Sequence, residues 1–162
     1  MSEIILGIGD YGASRTPGGR VKTFALGSCV AAILQDPRNG AVGMVHVALP
    51  DSSINEAKAR QRPGYFADLG LPLLVQEMVR LGSPANGRGL VVKLVGGASI
   101  MDHNETFNIG KRNVLALKKH LWAYGLGPLA EDVGGNYSRT VSVFVDTGKV
   151  LVTCPGRGQW EV

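Results

Sequence analysis

Glycine is the feature that most constrains the fold, because 23 of the 162 residues are glycine, about twice the usual share of ~7%. The glycines follow no fixed period, which excludes a collagen-like chain, and several form pairs, at Gly18-Gly19, Gly96-Gly97 and Gly134-Gly135. Glycine adopts backbone conformations that other residues avoid, so such pairs are typical of tight turns and of close backbone contacts. The sequence therefore predicts many short strands joined by tight turns.

Composition and charge narrow the class of protein. Apolar residues make up 44% of the chain and charged residues 19%, which fits one ordinary globular domain over residues 1–162. No apolar run reaches the ~18 residues of a membrane span, and the N-terminus lacks the features of a signal peptide. Only Cys29 and Cys154 are cysteines, so we expect no disulfide framework and a cytoplasmic protein. The net charge of +4 is dispersed, which argues against nucleic-acid binding.

Apolar runs bounded by turn residues predict the strands. The predicted strands are 3–8, 21–25, 29–34, 42–49, 89–94, 129–133, 141–145 and 150–154. A turn at Asp36–Gly40 separates the third of these strands from the fourth, because Asp-Pro and Asn-Gly are both strong turn signals. Residues 10–20 and 51–64 are rich in polar residues, glycine and proline, and we expect loops there.

Two helices follow from apolar residues spaced three and four apart. The first is predicted over residues 65–81, where Pro72 implies either a kink or a later start with proline in the first turn. The second is predicted over residues 109–124, between Asn108 as a capping residue and Gly125 as the left-handed stop. Together these elements predict an α+β fold, with a mixed β-sheet core flanked by two principal helices.

Some apparent motifs do not support a function. Gly7–Gly12 matches the dinucleotide pattern GxGxxG, but that pattern must open a helix, and Pro17–Gly19 forbids one. Asp102–Glu105 contains metal-ligand residue types, but their spacing fits no common zinc pattern. Cys154 has no sequence-near base and is interpreted as a small core residue. We therefore expect neither a metal nor a cofactor.

Cys29 and His46 stand out because the predicted hairpin brings them to one face of the sheet. Opposed residues of an antiparallel pair have a constant sum of residue numbers. Pairing Asp36 with Asn39 gives 75 and places Cys29 opposite His46, whereas pairing Asp36 with Ala41 gives 77 and makes the two residues diagonal neighbours. Both registers keep the side chains on the same face, with Cβ atoms roughly 5–8 Å apart.

This pair suits nucleophilic catalysis, although buried Cys and His on adjacent strands are more often plain core residues. A thiol must lose its proton before it attacks, and imidazole is the usual base. Gly27 and Ser28 precede the cysteine, and backbone amides there could stabilise an oxyanion. A third group must orient the imidazole. Thr23 is a candidate for that task, and Ser28 is its rival.

Five stretches of the chain resemble the CheD family of chemoreceptor glutamine deamidases. They occur in the family's order and span most of the sequence. The stretches are Thr23–Ala31, Gly43–Pro50, Lys93–Met101, Asn108–Asn113 and Glu131–Arg139. Residues 51–64 and the tail after Cys154 match the family poorly, so no functional role is carried onto them.

The resemblance implies an enzyme that converts selected glutamines of methyl-accepting chemotaxis receptors to glutamate with release of ammonia. It places the family's cysteine, histidine and threonine on Cys29, His46 and Thr23. It also implies a fold similar to deamidating toxins of the cytotoxic necrotizing factor type, with a β-sandwich core and helices outside. Hydrolysis of receptor glutamyl methyl esters and binding of the phosphatase CheC are implied in the same way.

A receptor substrate would be a long helical coiled coil, so we expect an open groove that accepts a helix. The candidate groove residues are Gly96, Gly97, Ala98, Ser99 and Arg139, although simple turn chemistry is an equal interpretation of them. Two alternatives stay open. The chain could be a non-catalytic adaptor that binds receptor or CheC, or a cysteine hydrolase of small amides.

Overall fold

Ten strands and three α-helices form the described part of this computed structural model, which covers residues 2–100 and 108–162. The strands are β1 (Glu3–Leu6), β2 (Tyr11–Ser14), β3 (Arg20–Leu26), β4 (Val30–Asp36), β5 (Ala41–Val47), β6 (Val91–Gly96), β7 (Pro128–Val133), β8 (Arg139–Phe144), β9 (Val150–Cys154) and β10 (Gly158–Glu161). The helices are α1 (Glu56–Gln61), α2 (Ala67–Arg80) and α3 (Ile109–Trp122). Short 3-10 turns at Ser52–Ile54 and Pro63–Tyr65 flank α1.

The strands divide into two mixed sheets of five strands each. The first sheet has the order β1-β3-β8-β9-β10, and the second has the order β2-β5-β4-β6-β7. Pairs β1–β3 and β6–β7 are parallel, and the remaining pairs are antiparallel. The fold is thus mixed α+β, as predicted, and its β core consists of two mixed sheets.

Alternation along β4 shows how the layers are built. Ala31 and Ile33 pack into the apolar cluster between the two sheets, together with residues of β3, β8 and β9. Val30, Ala32 and Leu34 point to the opposite side and pack against α2 and α3. Because β4 is covered on both faces, almost every residue in it is buried. The result is a β-sandwich whose second sheet carries the two long helices on its outer face.

Several local predictions need correction. Residues 51–64 are not a loop, because they contain α1 and the two 3-10 turns, stabilised by capping from Asp51 and Asn55. Residues 10–20 contain β2, which gains its partner only when β5 comes alongside. The tail beyond Cys154 forms β10, which pairs with β9. Asp102–Glu105, named above as a poor metal site, lies outside the described residues.

The two long helices are confirmed, with some adjustment of their ends. α2 runs through Pro72, so the alternative of a later start at that proline is wrong. α3 follows Asn108 and ends at Trp122, and Gly125 has the left-handed φ of 69° expected of a stop residue. None of the helices in the described ranges has the length and apolar character needed to cross a membrane.

Candidate active site

The hairpin of β4 and β5 settles which register Cys29 and His46 adopt. Ala31 pairs with His46 and Val30 with Val47, which is the register with a constant sum of 77. Cys29 directly precedes β4, so it lies diagonal to His46. Met44, two residues from His46 on β5, and Cys29 both pack into the cluster between the sheets. Both functional candidates therefore face the space between the two sheets.

Thr23 reaches His46 from the other sheet. It lies on β3 of the first sheet, is fully buried, and its Oγ1 is 2.6 Å from Nδ1 of His46. The same hydroxyl donates a hydrogen bond of 2.8 Å to the carbonyl of Leu6. The hydrogen bond between threonine and histidine thus joins the two layers of the sandwich. The contact also distinguishes Thr23 from its rival Ser28, whose described side-chain contacts do not include the imidazole.

The two bonds of the Thr23 hydroxyl fix the tautomer of His46. A hydroxyl has one hydrogen, and here that hydrogen goes to the Leu6 carbonyl, so Oγ1 must accept a hydrogen from Nδ1. The neutral imidazole then carries its lone pair on Nε2. That nitrogen is buried and has no hydrogen-bond partner among the described residues. His46 is therefore arranged to accept a proton on Nε2.

A β-bulge lies in β3 between Thr23 and Leu26, just before the loop that carries Cys29. The pairing of β3 with β8 shifts register between Thr23 and Leu26, and Ala25 within that shift has a positive φ of 52°. A residue other than glycine with positive φ is uncommon and costs on the order of 1 kcal/mol. The bulge allows both Thr23 and Leu26 to face inward despite their odd spacing, and it leaves Phe24 half exposed.

Close backbone contacts with the end of β6 support the loop that carries Cys29. Gly97 donates a hydrogen bond of 2.8 Å from its amide to the Cys29 carbonyl, and Ala98 donates one of 2.8 Å to the Gly27 carbonyl. Gly96 has a φ of 120°, and a Cβ there would lie 2.3 Å from the Cys29 carbonyl oxygen. A side chain cannot be accommodated at that position, so the Cys29 loop and β6 fit closely.

Burial sets the resting protonation of both candidates. It lowers the pKa of His46 from 6.5 to about 4, and the nearby Asp10 carboxylate opposes this shift only in part. Burial also raises the pKa of the half-buried Cys29 thiol, against the smaller opposing effect of the residue's own backbone amide. At neutral pH the resting site therefore holds a neutral thiol and a neutral imidazole, not an ion pair.

The predicted groove residues lie mostly beneath the surface, and their role as groove walls stays a prediction. Gly96, Gly97 and Ala98 are buried, and Ser99 is half-buried. Arg139 is only 1% exposed, and its Nη1 donates to the carbonyls of Gly96 at 3.2 Å and Gly134 at 2.8 Å. Its guanidinium therefore joins the Gly96 and Gly134 segments from inside the fold, and the Gly96 segment is the one that contacts the Cys29 loop.

Asn113 is a site-adjacent residue to which the sequence analysis gave no role. It is fully buried in α3 and donates hydrogen bonds of 3.0 Å from Nδ2 to the carbonyls of Ser28 and Ala48. A signal for it exists in the sequence, because Asn113 lies four residues before Leu117 and eight before Leu121. A polar residue in such an apolar stripe must find buried partners.

Two surface cavities lie away from these residues. One of about 490 Å³ borders β1, β2 and Arg62, and another of about 320 Å³ borders Asp36 and Gly148. Neither is lined by Cys29 or His46. The candidate nucleophile lies instead on a half-buried loop that is not part of either cavity.

Comparison with known proteins gives consistent matches. A family model described as CheD chemotactic sensory transduction matches residues 48–154. A protein of Syntrophotalea carbinolica named probable chemoreceptor glutamine deamidase CheD is 67% identical over the full length of both chains. The chemoreceptor glutamine deamidase CheD of Thermotoga maritima is 43% identical over 96% of this chain and 94% of its own. A probable chemoreceptor glutamine deamidase CheD of Thermococcus kodakarensis is 40% identical over 97% and 96%.

Proposed function

The chain belongs to the CheD family, and from this premise we propose that it deamidates glutamines of methyl-accepting chemotaxis receptors through a Cys29–His46–Thr23 site. The names of its relatives support the substrate class. The observation that carries the proposed mechanism is the 2.6 Å contact between Thr23 and Nδ1 of His46, which leaves Nε2 as the proton acceptor. A histidine with only a structural role would normally have both ring nitrogens satisfied.

The first half of the reaction forms a thioester. Nε2 of His46 takes the proton of the Cys29 thiol, and the sulfur attacks the carbonyl carbon of the glutamine side chain. The tetrahedral intermediate collapses as the bond between carbon and nitrogen breaks. The imidazolium returns the proton to the leaving nitrogen, which departs as ammonia. The products of this half are a thioester on Cys29 and a neutral His46.

The second half restores the enzyme. Nε2 of His46 takes a proton from water, and the resulting hydroxide attacks the thioester carbon. The bond between carbon and sulfur breaks, and the proton on His46 passes to the leaving thiolate. Glutamine has then become glutamic acid, which ionises at neutral pH. The same two steps with methanol in place of ammonia as leaving group would hydrolyse a glutamyl methyl ester.

The partners and setting follow from the same proposal. The substrate is the helical region of a receptor in the cytoplasm, and the Cys29 loop is only half-buried, which suits a substrate that docks on the surface of the protein. CheC is proposed as a second binding partner. We also propose that residues 1–162 form one domain and that the sandwich is similar to the cytotoxic necrotizing factor fold, with no cofactor required.

A non-catalytic adaptor is the competing function. One observation favours it, because burial raises the pKa of the Cys29 thiol and keeps it protonated at rest. An idle thiol would look the same in this respect. The orientation of His46 by Thr23 argues for catalysis, and a hydrolase of small amides would share that orientation, so both alternatives must be separated by experiment.

Mass spectrometry of a receptor cytoplasmic fragment tests the proposal. Incubation with the protein should add about one dalton at defined glutamines, since an amide nitrogen is replaced by oxygen. Cys29→Ala and His46→Ala should abolish this change. Cys154→Ala is the matched control, because Cys154 is the other free cysteine and is buried outside the candidate site.

The outcomes separate the three functions. Deamidation of the fragment that depends on Cys29 but not on Cys154 supports the proposal. An unchanged fragment that nevertheless binds the protein would support the adaptor. Turnover of free glutamine at a rate matching that of the fragment would favour a hydrolase of small amides.

A further inference from the structure

The carboxamide of Asn113 ties together the two chain segments that carry Cys29 and His46. One Nδ2 hydrogen goes to the carbonyl of Ser28, the residue before Cys29, and the other goes to the carbonyl of Ala48, two residues after His46. In the register of β4 with β5, Ala48 is the position that continues opposite Cys29. A single side chain thus fixes the ends of both strands beside the candidate nucleophile.

The orientation of this carboxamide is dictated by its partners. Both neighbours within reach of Nδ2 are carbonyl oxygens, which only accept hydrogen bonds. Turning the amide over would place Oδ1 against those oxygens and remove two bonds. Oδ1 itself is buried with no partner among the described residues. Asn113 is therefore retained in an apolar helix face as a double donor, at the cost of an unsatisfied acceptor.

Fixing the Ser28 carbonyl also fixes the amide of Cys29. The two groups belong to one planar trans peptide, so the N–H points opposite to the carbonyl. The carbonyl points to Asn113 in α3, on the helix side of the second sheet. The amide hydrogen then points away from the helices. It lies close enough to the Cys29 sulfur to lower the pKa of that thiol, in opposition to the larger effect of burial.

The Cys29 amide has no hydrogen-bond partner in another described residue. In the described ranges no backbone or side-chain oxygen of another residue accepts a hydrogen bond from it, whereas the carbonyls of Gly27 and Cys29 are both bound by amides of the segment after β6. A free donor next to a nucleophilic sulfur is what a tetrahedral oxyanion requires. The peptide is held by its carbonyl, while its N–H is not bound by any other residue of the described ranges.

We propose that Asn113 is a positioning residue that holds the Ser28–Cys29 peptide so that the Cys29 amide stabilises the oxyanion formed on the substrate carbonyl. This inference rests on the proposed acyl-transfer function and adds a residue to it. In the step concerned, sulfur bonds to the carbonyl carbon while the π electron pair moves to oxygen, where the amide donates to it. In this proposal Asn113 acts through the Ser28–Cys29 peptide and not on the substrate itself.

Asn113→Ala tests the proposal, with Leu117→Ala as the matched control on the next turn of α3. Loss of an oxyanion donor costs roughly 10²–10³ in kcat, and a misdirected amide should cost about 10–100-fold. We expect this loss in kcat for receptor deamidation with KM unchanged. Leu117→Ala removes buried apolar contacts and lowers stability, but it should keep kcat near that of the unchanged chain under folding conditions.

Two reactions of the Cys29 thiol distinguish a positioning role from a purely structural one, because a structural defect would slow both reactions equally. Alkylation of Cys29 by iodoacetamide forms no oxyanion, so Asn113→Ala should leave its rate within about twofold. In the addition of the thiol to a ¹³C-labelled aliphatic aldehyde, the carbon–sulfur bond forms while the π electron pair moves to oxygen, and the thiol proton taken by His46 then passes to that oxygen to give a neutral hemithioacetal. NMR should show about tenfold weaker formation of this adduct. Both reactions can be followed without a receptor, so they test Asn113 even if deamidation is absent.

The results distinguish failure of this inference from failure of the proposed function. If the unchanged chain does not deamidate the fragment but Asn113→Ala still selectively weakens the aldehyde adduct, the proposed function is wrong and the inference about Asn113 stands. Equal kcat for Asn113→Ala and the unchanged chain would overturn the inference. Parallel losses in alkylation and aldehyde addition, or an equal loss of kcat in Leu117→Ala, would also overturn it by showing general disruption.

Discussion

Replacing Thr23 by valine tests the link between the two sheets. Valine has nearly the same shape but no hydroxyl, so the change removes both the 2.6 Å contact with His46 and the 2.8 Å bond to the Leu6 carbonyl. His46 Nδ1 loses its acceptor, and nothing then favours the tautomer that leaves Nε2 free. We therefore expect a loss of both stability and activity.

The magnitude follows from the groups left unpartnered. The Nδ1 hydrogen of His46 and the Leu6 carbonyl each lose a hydrogen-bond partner in a buried position, and each orphaned group costs about 1–3 kcal/mol. We expect the unfolding free energy to fall by about 2–6 kcal/mol in total. A fall of about 10–100-fold in kcat corresponds to about 1.4–2.7 kcal/mol of lost transition-state stabilisation.

Urea unfolding and deamidation of a receptor fragment measure these two effects. Thr23→Ser is the matched control, because it keeps the hydroxyl and removes only a methyl group. It should retain most of the activity and lose about 1 kcal/mol through the small cavity. A Thr23→Val chain with unchanged kcat and stability within about 0.5 kcal/mol would refute the role assigned to this hydrogen bond.

Three further predictions concern the protonation of His46, the packing around Gly110 and the buried ion pair of Arg139. Burial lowers the pKa of His46 from 6.5 to about 4, so the unfolded chain binds the proton more readily, and the free energy of unfolding should fall by about 3 kcal/mol as the pH drops from 6.5 to 4. Over the same range kcat/KM should decline with a midpoint near pH 4, because the protonated imidazole cannot act as a base. A midpoint near pH 6.5 would contradict this prediction. Gly110→Ala places a Cβ 2.4 Å from the Gly97 carbonyl oxygen and should cost about 2 kcal/mol in urea unfolding, whereas the uncrowded Gly127→Ala should be nearly neutral. Arg139→Met should cost about 3–5 kcal/mol by the same measurement, because it leaves the partly buried carboxylate of Asp132 uncompensated.

Local sequence signals were sufficient for most strands and for both long helices, since apolar spacing and glycine stops act within a few residues. The turn at Asp36–Gly40 shows the limit. The sequence left two registers open, and the structure selects the pairing of Asp36 with Ala41 through a left-handed Gly40 and a bond from the Ala41 amide to the Asn39 side chain. Such a choice depends on side-chain geometry that a residue count does not contain.

The elements that sequence reasoning missed depend on distant partners. β2 has only four residues, including a glycine, and becomes a strand because β5 pairs with it. α1 is short and polar, without an apolar stripe to reveal it. The position of Thr23 opposite His46 was reached only as a candidate, because the contact crosses from one sheet to the other. Neither periodicity nor hairpin counting describes how two sheets face each other.

Because His46 is buried, closeness to Cys29 is not sufficient for the site, and the imidazole also needs a hydrogen-bond partner. A neutral imidazole can be placed between two sheets only if at least one nitrogen finds a partner, and Thr23 provides it from the opposite layer. The second nitrogen has no hydrogen-bond partner in residues 2–100 and 108–162, and a buried nitrogen left without one costs about 1–3 kcal/mol. The rest of the sandwich must offset that cost. Nε2 is thus kept without a partner among the described residues, while amides from the segment after β6 fix the thiol loop, and both observations support the proposed role of His46 in proton transfer.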